Sequence, residues 1–174
     1  MTQGTEKPEQ YDGVMRLSDT GLEQVENLLS TYGLTLKMVA PGDDIPGSFW
    51  GDEEAGLIGD QLLVRADTPL HSLLHEACHY ICMDGDRRGG LDTDAGGDYD
   101  EENAVCYLQV LLADVIDGFG QGRMFHDMDR WGYTFRLGSA KAWFERDAND
   151  ALAWLVDHTL VDDQQQPNWK LREY

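Results

Sequence analysis

Basic residues are scarce in this chain: 13 lysines and arginines stand against 33 aspartates and glutamates, a formal net charge of −20 over 174 residues. That balance excludes a nucleic-acid ligand and an anionic membrane surface, because both are held by a basic footprint that is missing here. It favours a cationic partner or metal ions, and it also makes a solubilising surface. Long apolar runs are absent too. None approaches the ~20 residues that cross a bilayer. The opening MTQGTEKPEQYDG is polar and lacks the basic-then-apolar build of a secretory leader. Cysteine is sparse and odd in number, with Cys78, Cys82 and Cys106 only. That fits a reducing compartment better than a disulfide framework. The expected setting is cytoplasmic.

What is present suits one globular domain. The chain is 41% hydrophobic and long enough to bury a core. Residues 1–17 read as a flexible tail, 18–165 as a single domain, and 166–174 as a second polar tail. Ser18 or Asp19 is placed to cap a helix through about Tyr32, with Val25 and Leu28 on its apolar face and Gly33 as its stop. LTLKMVA alternates as a strand does. EAGLIGDQLLVRAD holds two short apolar runs around Gly59-Asp60, a hairpin signal. Its second run, QLLVRA, is expected to offer a sheet edge to substrate. Thr68 as N-cap, Pro69 at the first helical position and Gly85 as terminator then frame a helix. Residues 85–100 are too rich in glycine and aspartate for anything but loop. A second strong helix runs from about Asp100 to Asp117, followed by helical stretches near Met124–Trp131 and from Ser139, with a turn or strand at YTFRLG. Trp131, Phe135, Trp143 and Trp154 read as core. A small sheet followed by helices argues an α+β fold.

The chemistry concentrates in HEACHYIC. On a helix His75 and His79 lie one turn apart on one face and can share a single Zn²⁺. Glu76 points about 100° away, reaching the ion's water without being a ligand. That is the HExxH pattern, in which the glutamate is the general base. A catalytic zinc needs a third protein ligand and one open position. The next helix offers Glu101 and Glu102. Placed at helical intervals, Glu101 shares the apolar face of Val105, Leu108 and Leu112, whereas Glu102 falls toward Gln109 and the polar side. A ligand must face the partner helix, so Glu101 is the expected third ligand and Glu102 the reserve, with a loop aspartate as the alternative.

Other groups compete for roles. His71 lies one turn before His75 but the ladder's ends are about 12 Å apart, too far for one ion; it reads as a surface or groove residue. Cys78 and Cys82 read as small buried hydrophobes. Asp92, Asp94 and Asp98 fall at calcium-loop positions, though Gly96 and Asn103 stand where further ligands belong, so a Ca²⁺ site there is the weaker expectation. Donors for a developing oxyanion are Tyr80, His126, Tyr133 and His158, and acceptors to orient the imidazoles are Asp84, Asp98 and Asp100.

His75-Glu76-Ala77-Cys78-His79, with a glutamate on a following helix, resembles the gluzincin group of zincin metallopeptidases. The stretch Glu101-Glu102-Asn103-Ala104-Val105-Cys106-Tyr107-Leu108 is similar to the glutamate helix of small cytoplasmic peptidases that cleave repressor proteins. The likeness covers about residues 54–116. It implies a minimal zincin-like domain: a small sheet with a hairpin, an active-site helix, a glutamate-bearing helix and a helical C-terminal region. The function so implied is a zinc-dependent peptidase acting on peptide or protein through metal-activated water. The alternative is a non-catalytic, metal-binding zincin-like module that holds a partner protein in an acidic cleft.

Overall fold

The computed structural model describes residues 13–48 and 52–173. Among them are a three-stranded sheet and seven α-helices, a mixed α and β architecture with the helices mostly after the sheet. Helix α1 (Leu22–Thr31) buries Val25, Leu28 and Leu29, as its periodicity predicts; a short 3₁₀ turn at Leu17–Asp19 precedes it. Strand β1 (Thr35–Met38) pairs in parallel with β3 (Gln61–Val64), and β2 (Gly56–Ile58) pairs antiparallel with β3 in the register Ile58↔Gln61, which closes the expected hairpin over Gly59-Asp60. The strand order β1-β3-β2 makes QLLV the central strand, not an edge. The edges are β1 and β2, and β2 is covered: Leu57 N donates to Gly47 O and Thr93 N to Leu57 O. A Cβ on Gly56 would sit 2.0 Å from Pro46 O, so only glycine lets that covering loop lie so close.

Helix α2 (Leu70–Cys82) carries the histidine motif and is buried along nearly its whole length. Its N-cap is Pro69 rather than Thr68. The Thr68 hydroxyl instead accepts from Arg65 N at 2.9 Å, and Leu70 N is satisfied by Met15 O. That bond, together with Met15 N donating to the buried Asp127 carboxylate, ties residues 14–17 into the core, where a tail was expected. Residues 1–12 of that tail lie outside the described residues. Gly85 does not terminate α2. It opens α3 (Gly85–Gly89), a short helix capped by Asp84 inside the expected loop.

Helix α4 (Tyr99–Ala113) begins at the Asp98 cap, with Asp100, Glu101 and Glu102 complementing its N-terminal dipole. It runs through the middle of the molecule, against α2 on one side and α7 (Asn149–Asp157) on the other, and is buried on nearly every side from Ala104 to Ala113. Helix α5 (Gly120–Trp131) ends at Gly132, whose φ of 105° turns the chain so that Tyr133 folds back. YTFRLG is turn, not strand. The segment from Ser139 forms two helices, α6 (Ala140–Arg146), capped by Ser139, and α7.

The C-terminal residues are held in place. Arg172 N donates to Ile81 O, and its guanidinium donates to Cys82 O and to the Glu101 carboxylate. A polar sequence reads as a tail because the partners that order it, the free carbonyls ending α2, come from far away in the chain. No helix among the described residues is long and apolar enough to cross a membrane.

Candidate metal centre and its cleft

Helix α2 sets His75 and His79 side by side, their ring centroids 4.7 Å apart. Ligand atoms of His75, Glu76 and His79 lie within 4.8 Å of one another, as do those of His75, Glu102 and Cys106. The acid that meets the imidazoles is Glu102. One of its oxygens is 3.1 Å from His75 Nε2 and the other 3.3 Å from His79 Nε2. Donors bonded to one tetrahedral ion at about 2.0–2.1 Å are about 3.3 Å from each other, so each separation fits a pair of donors on an ion, with each nitrogen meeting a different oxygen of the carboxylate.

Glu101, the expected ligand, is elsewhere. Its side chain is 4% exposed against 48% for Glu102, and both its oxygens are taken, by Arg87 at 2.5 Å and by Arg172 at 3.0 Å. The helical-wheel argument fails for a physical reason. Since α4 is buried on both sides from Ala104 onward, its polar stripe of Glu102, Cys106 and Gln109 runs against α2, with Glu102 at the N-terminal end also reaching solvent. Gln109 is fully buried.

Gln109 is the group that sequence reasoning missed. Its Nε2 donates to His71 O at 3.0 Å, an acceptor that cannot donate, so its Oε1 must be the atom 2.9 Å from His75 Nδ1. Nδ1 of His75 therefore carries a proton, and Nε2 is the nitrogen facing Glu102. A bare Nε2 lone pair against a carboxylate is repulsive; a cation has to stand between them or a proton on the ring. In the metal-free chain the proton serves. Burial disfavours charge on His75, but Tyr133, Cys106 and Glu102 outweigh it and hold its pKa well above the usual value. Burial also raises the Glu102 carboxyl, yet the His75 hydrogen bond and both imidazoles more than offset this, so it stays below its ordinary value. His79 is pushed down to about 4 by burial, hence neutral; its Nδ1 has no partner, so its one proton belongs on Nε2, toward Glu102. The signal for Gln109 was its position seven residues beyond Glu102, two turns along one face. None of Asp84, Asp98 and Asp100 fills this role: Asp84 and Asp98 cap helices, and no bond joins Asp100 to an imidazole.

The imidazoles lie at the floor of a cleft of about 760 Å³. Glu76 lines it and makes no hydrogen bond among the described residues; burial, with Glu102 and Glu54 nearby, raises its pKa to about 7 against the opposing pull of His75. Across from it stands Tyr133, one of the expected oxyanion donors. Tyr80, His126 and His158 do not line the cleft: Arg88 covers the Tyr80 ring, His126 bonds Asp127, and His158 stacks on Trp154. The Tyr133 hydroxyl is 3.3 Å from Gln109 Nε2 and 3.2 Å from His71 Nδ1. His71 is wholly buried against Trp131 and Tyr133, neither surface nor groove, and its Nε2 has no partner. An orphaned N–H is the costlier choice there, so Nδ1 carries the proton and donates to Tyr133. The tyrosine oxygen then accepts twice, and its own proton is free. Burial raises its pKa to about 12, which keeps that proton on.

Trp131 also belongs to the cleft rather than the core; its indole donates to Glu54 at 2.7 Å. With Asp52, Glu53 and Asp94, Glu54 gives the rim its acidic character. Asp92, Asp94 and Asp98 are not gathered for calcium. Asp92 accepts from Thr93, Asp94 from Gly96 N and Asp98 from Glu101 N, and no candidate ligand group among the described residues includes them. Cys78 and Cys82 are fully buried and unpaired, as small hydrophobes are. Comparison with protein-family models, curated proteins and solved structures returns no match.

Proposed function

We propose that this chain is a metal-dependent hydrolase whose ion is held by His75, His79 and Glu102. Within that class the reading we favour is a zinc peptidase of the zincin type, with Glu102 in the place first given to Glu101. The observation that carries it is the Glu102 carboxylate spanning two Nε2 atoms at 3.1 and 3.3 Å while Gln109 fixes the His75 tautomer. A catalytic glutamate, a free hydroxyl donor and an open cleft around that point support hydrolysis over mere metal storage.

A divalent ion bound there supplies Lewis acidity and a water acidic enough to ionise near neutral pH. The residues do the remainder. Glu76, unencumbered and raised toward neutrality, accepts the proton of the attacking water and passes it to the leaving amine. Tyr133 donates its hydroxyl proton as a hydrogen bond to the carbonyl oxygen as charge grows there. Gln109 keeps His75 from rotating. The rim beside Trp131 and Ala55 receives the substrate chain.

Glu76→Gln tests the reading. It keeps stoichiometric zinc and loses hydrolysis of a denatured casein or peptide-library substrate by about 10²–10⁴-fold. Undiminished hydrolysis in that variant sinks the assignment.

A further inference from the structure

Cys106 is the buried nucleophilic group that the proposed reaction leaves unused. It follows Glu102 by one helical turn on α4 and precedes Gln109 by three residues, so it belongs to the stripe that faces His75. Its sulfur, a His75 nitrogen and a Glu102 oxygen lie within 4.8 Å of one another. The other two cysteines join no such group, although both lie on the motif helix itself. Cys106 is 7% exposed, so solvent does not compete strongly for it.

We propose that Cys106 is a further ligand to the same ion, joining it beside His75 and Glu102. This rests on the metal reading above and deepens it. A tetrahedral ion at about 2.3 Å from sulfur and 2.0–2.1 Å from nitrogen holds those donors roughly 3.5 Å apart. That is inside the 4.8 Å that already encloses the three ligand atoms. Binding releases the thiol proton to solvent as the sulfur–metal contact forms. One consequence follows. A soft sulfur donor selects zinc over magnesium, calcium or manganese.

The test uses the full chain loaded with Co²⁺, and separately with Zn²⁺. The cobalt protein is expected to show near-ultraviolet thiolate-to-cobalt absorption alongside the visible bands of a tetrahedral ion. Cys106→Ala loses the near-ultraviolet absorption and keeps visible bands; Cys82→Ala keeps both. Zinc-edge X-ray absorption on the unmutated protein is expected to show one sulfur at about 2.3 Å among nitrogen and oxygen donors. It decides the matter even if Cys106→Ala fails to fold. Tetrahedral cobalt bands without thiolate absorption, with a zinc shell of nitrogen and oxygen alone, overturn the sulfur ligand and leave the three-ligand site standing. Thiolate absorption that survives Cys106→Ala also overturns it. A protein that takes up neither ion overturns both.

Discussion

Gln109 Oε1 lies 2.9 Å from His75 Nδ1, and the other end of the same amide is anchored on His71 O. One side chain on α4 thereby fixes both the rotation and the protonation of an imidazole on α2. Gln109→Leu is expected to weaken zinc binding by about 10–100-fold, the usual effect of losing a group that orients a ligand. Competition against a chromophoric chelator measures it, and unchanged affinity would contradict the role.

The neighbouring glutamates are expected to separate cleanly. Glu102→Ala abolishes stoichiometric zinc while leaving the fold intact, because its carboxylate is half exposed and anchors nothing else. Glu101→Ala keeps zinc but takes the shared carboxylate from Arg87 and the tail residue Arg172 and leaves a buried void, costing about 1.5–3 kcal/mol. Metal content and urea unfolding of the two variants, measured together, check this; the reverse pattern restores Glu101 as the ligand.

Tyr133→Phe removes the free hydroxyl without disturbing zinc. Hydrolysis is expected to fall by about 10²–10³-fold in kcat, as for loss of one oxyanion donor, with KM little changed. A change confined to KM would place Tyr133 in substrate binding instead.

Acid should destabilise the metal-free protein partly through His71. Burial lowers its pKa to about 3, with the His75 and Arg16 charges adding to the effect. A folded-state pKa below the unfolded value of about 6.5 means that the unfolded chain binds the extra proton. The stabilising contribution is complete above about pH 6.5 and drains away as pH falls toward 3. The slope is at most about 1.4 kcal/mol per pH unit. His71→Phe preserves the ring against Trp131, so its urea midpoint should fall less than the parent's between pH 7 and 4.5. Parallel pH profiles would exclude His71 as the titrating group.

Much of this protein is legible along the chain. HExxH placed His75, Glu76 and His79 on one helix because helical geometry alone decides what lies four residues apart. The Gly59-Asp60 hairpin and the helices were readable for the same reason, since local spacing and turn chemistry set them. The boundary error at Thr68 arose where a partner from afar, Met15 O, overrode the local signal, whereas at Gly85 a second local signal, the Asp84 cap of α3, won over the glycine.

The acid that meets the imidazoles was of another kind. Glu101 and Glu102 are adjacent, and sequence separates them only if one knows which face of α4 meets α2. Polarity normally marks the solvent face, but a helix buried on both sides keeps its polar residues for internal partners. The sequence by itself determined that two imidazoles share a helical face with a glutamate about 100° beside them. Only tertiary packing decided that Glu102, Gln109 and Cys106 meet them, and that Tyr133 closes the cleft from a turn 54 residues past His79. These are contacts between elements, fixed by how buried surfaces dock, and no local period encodes them.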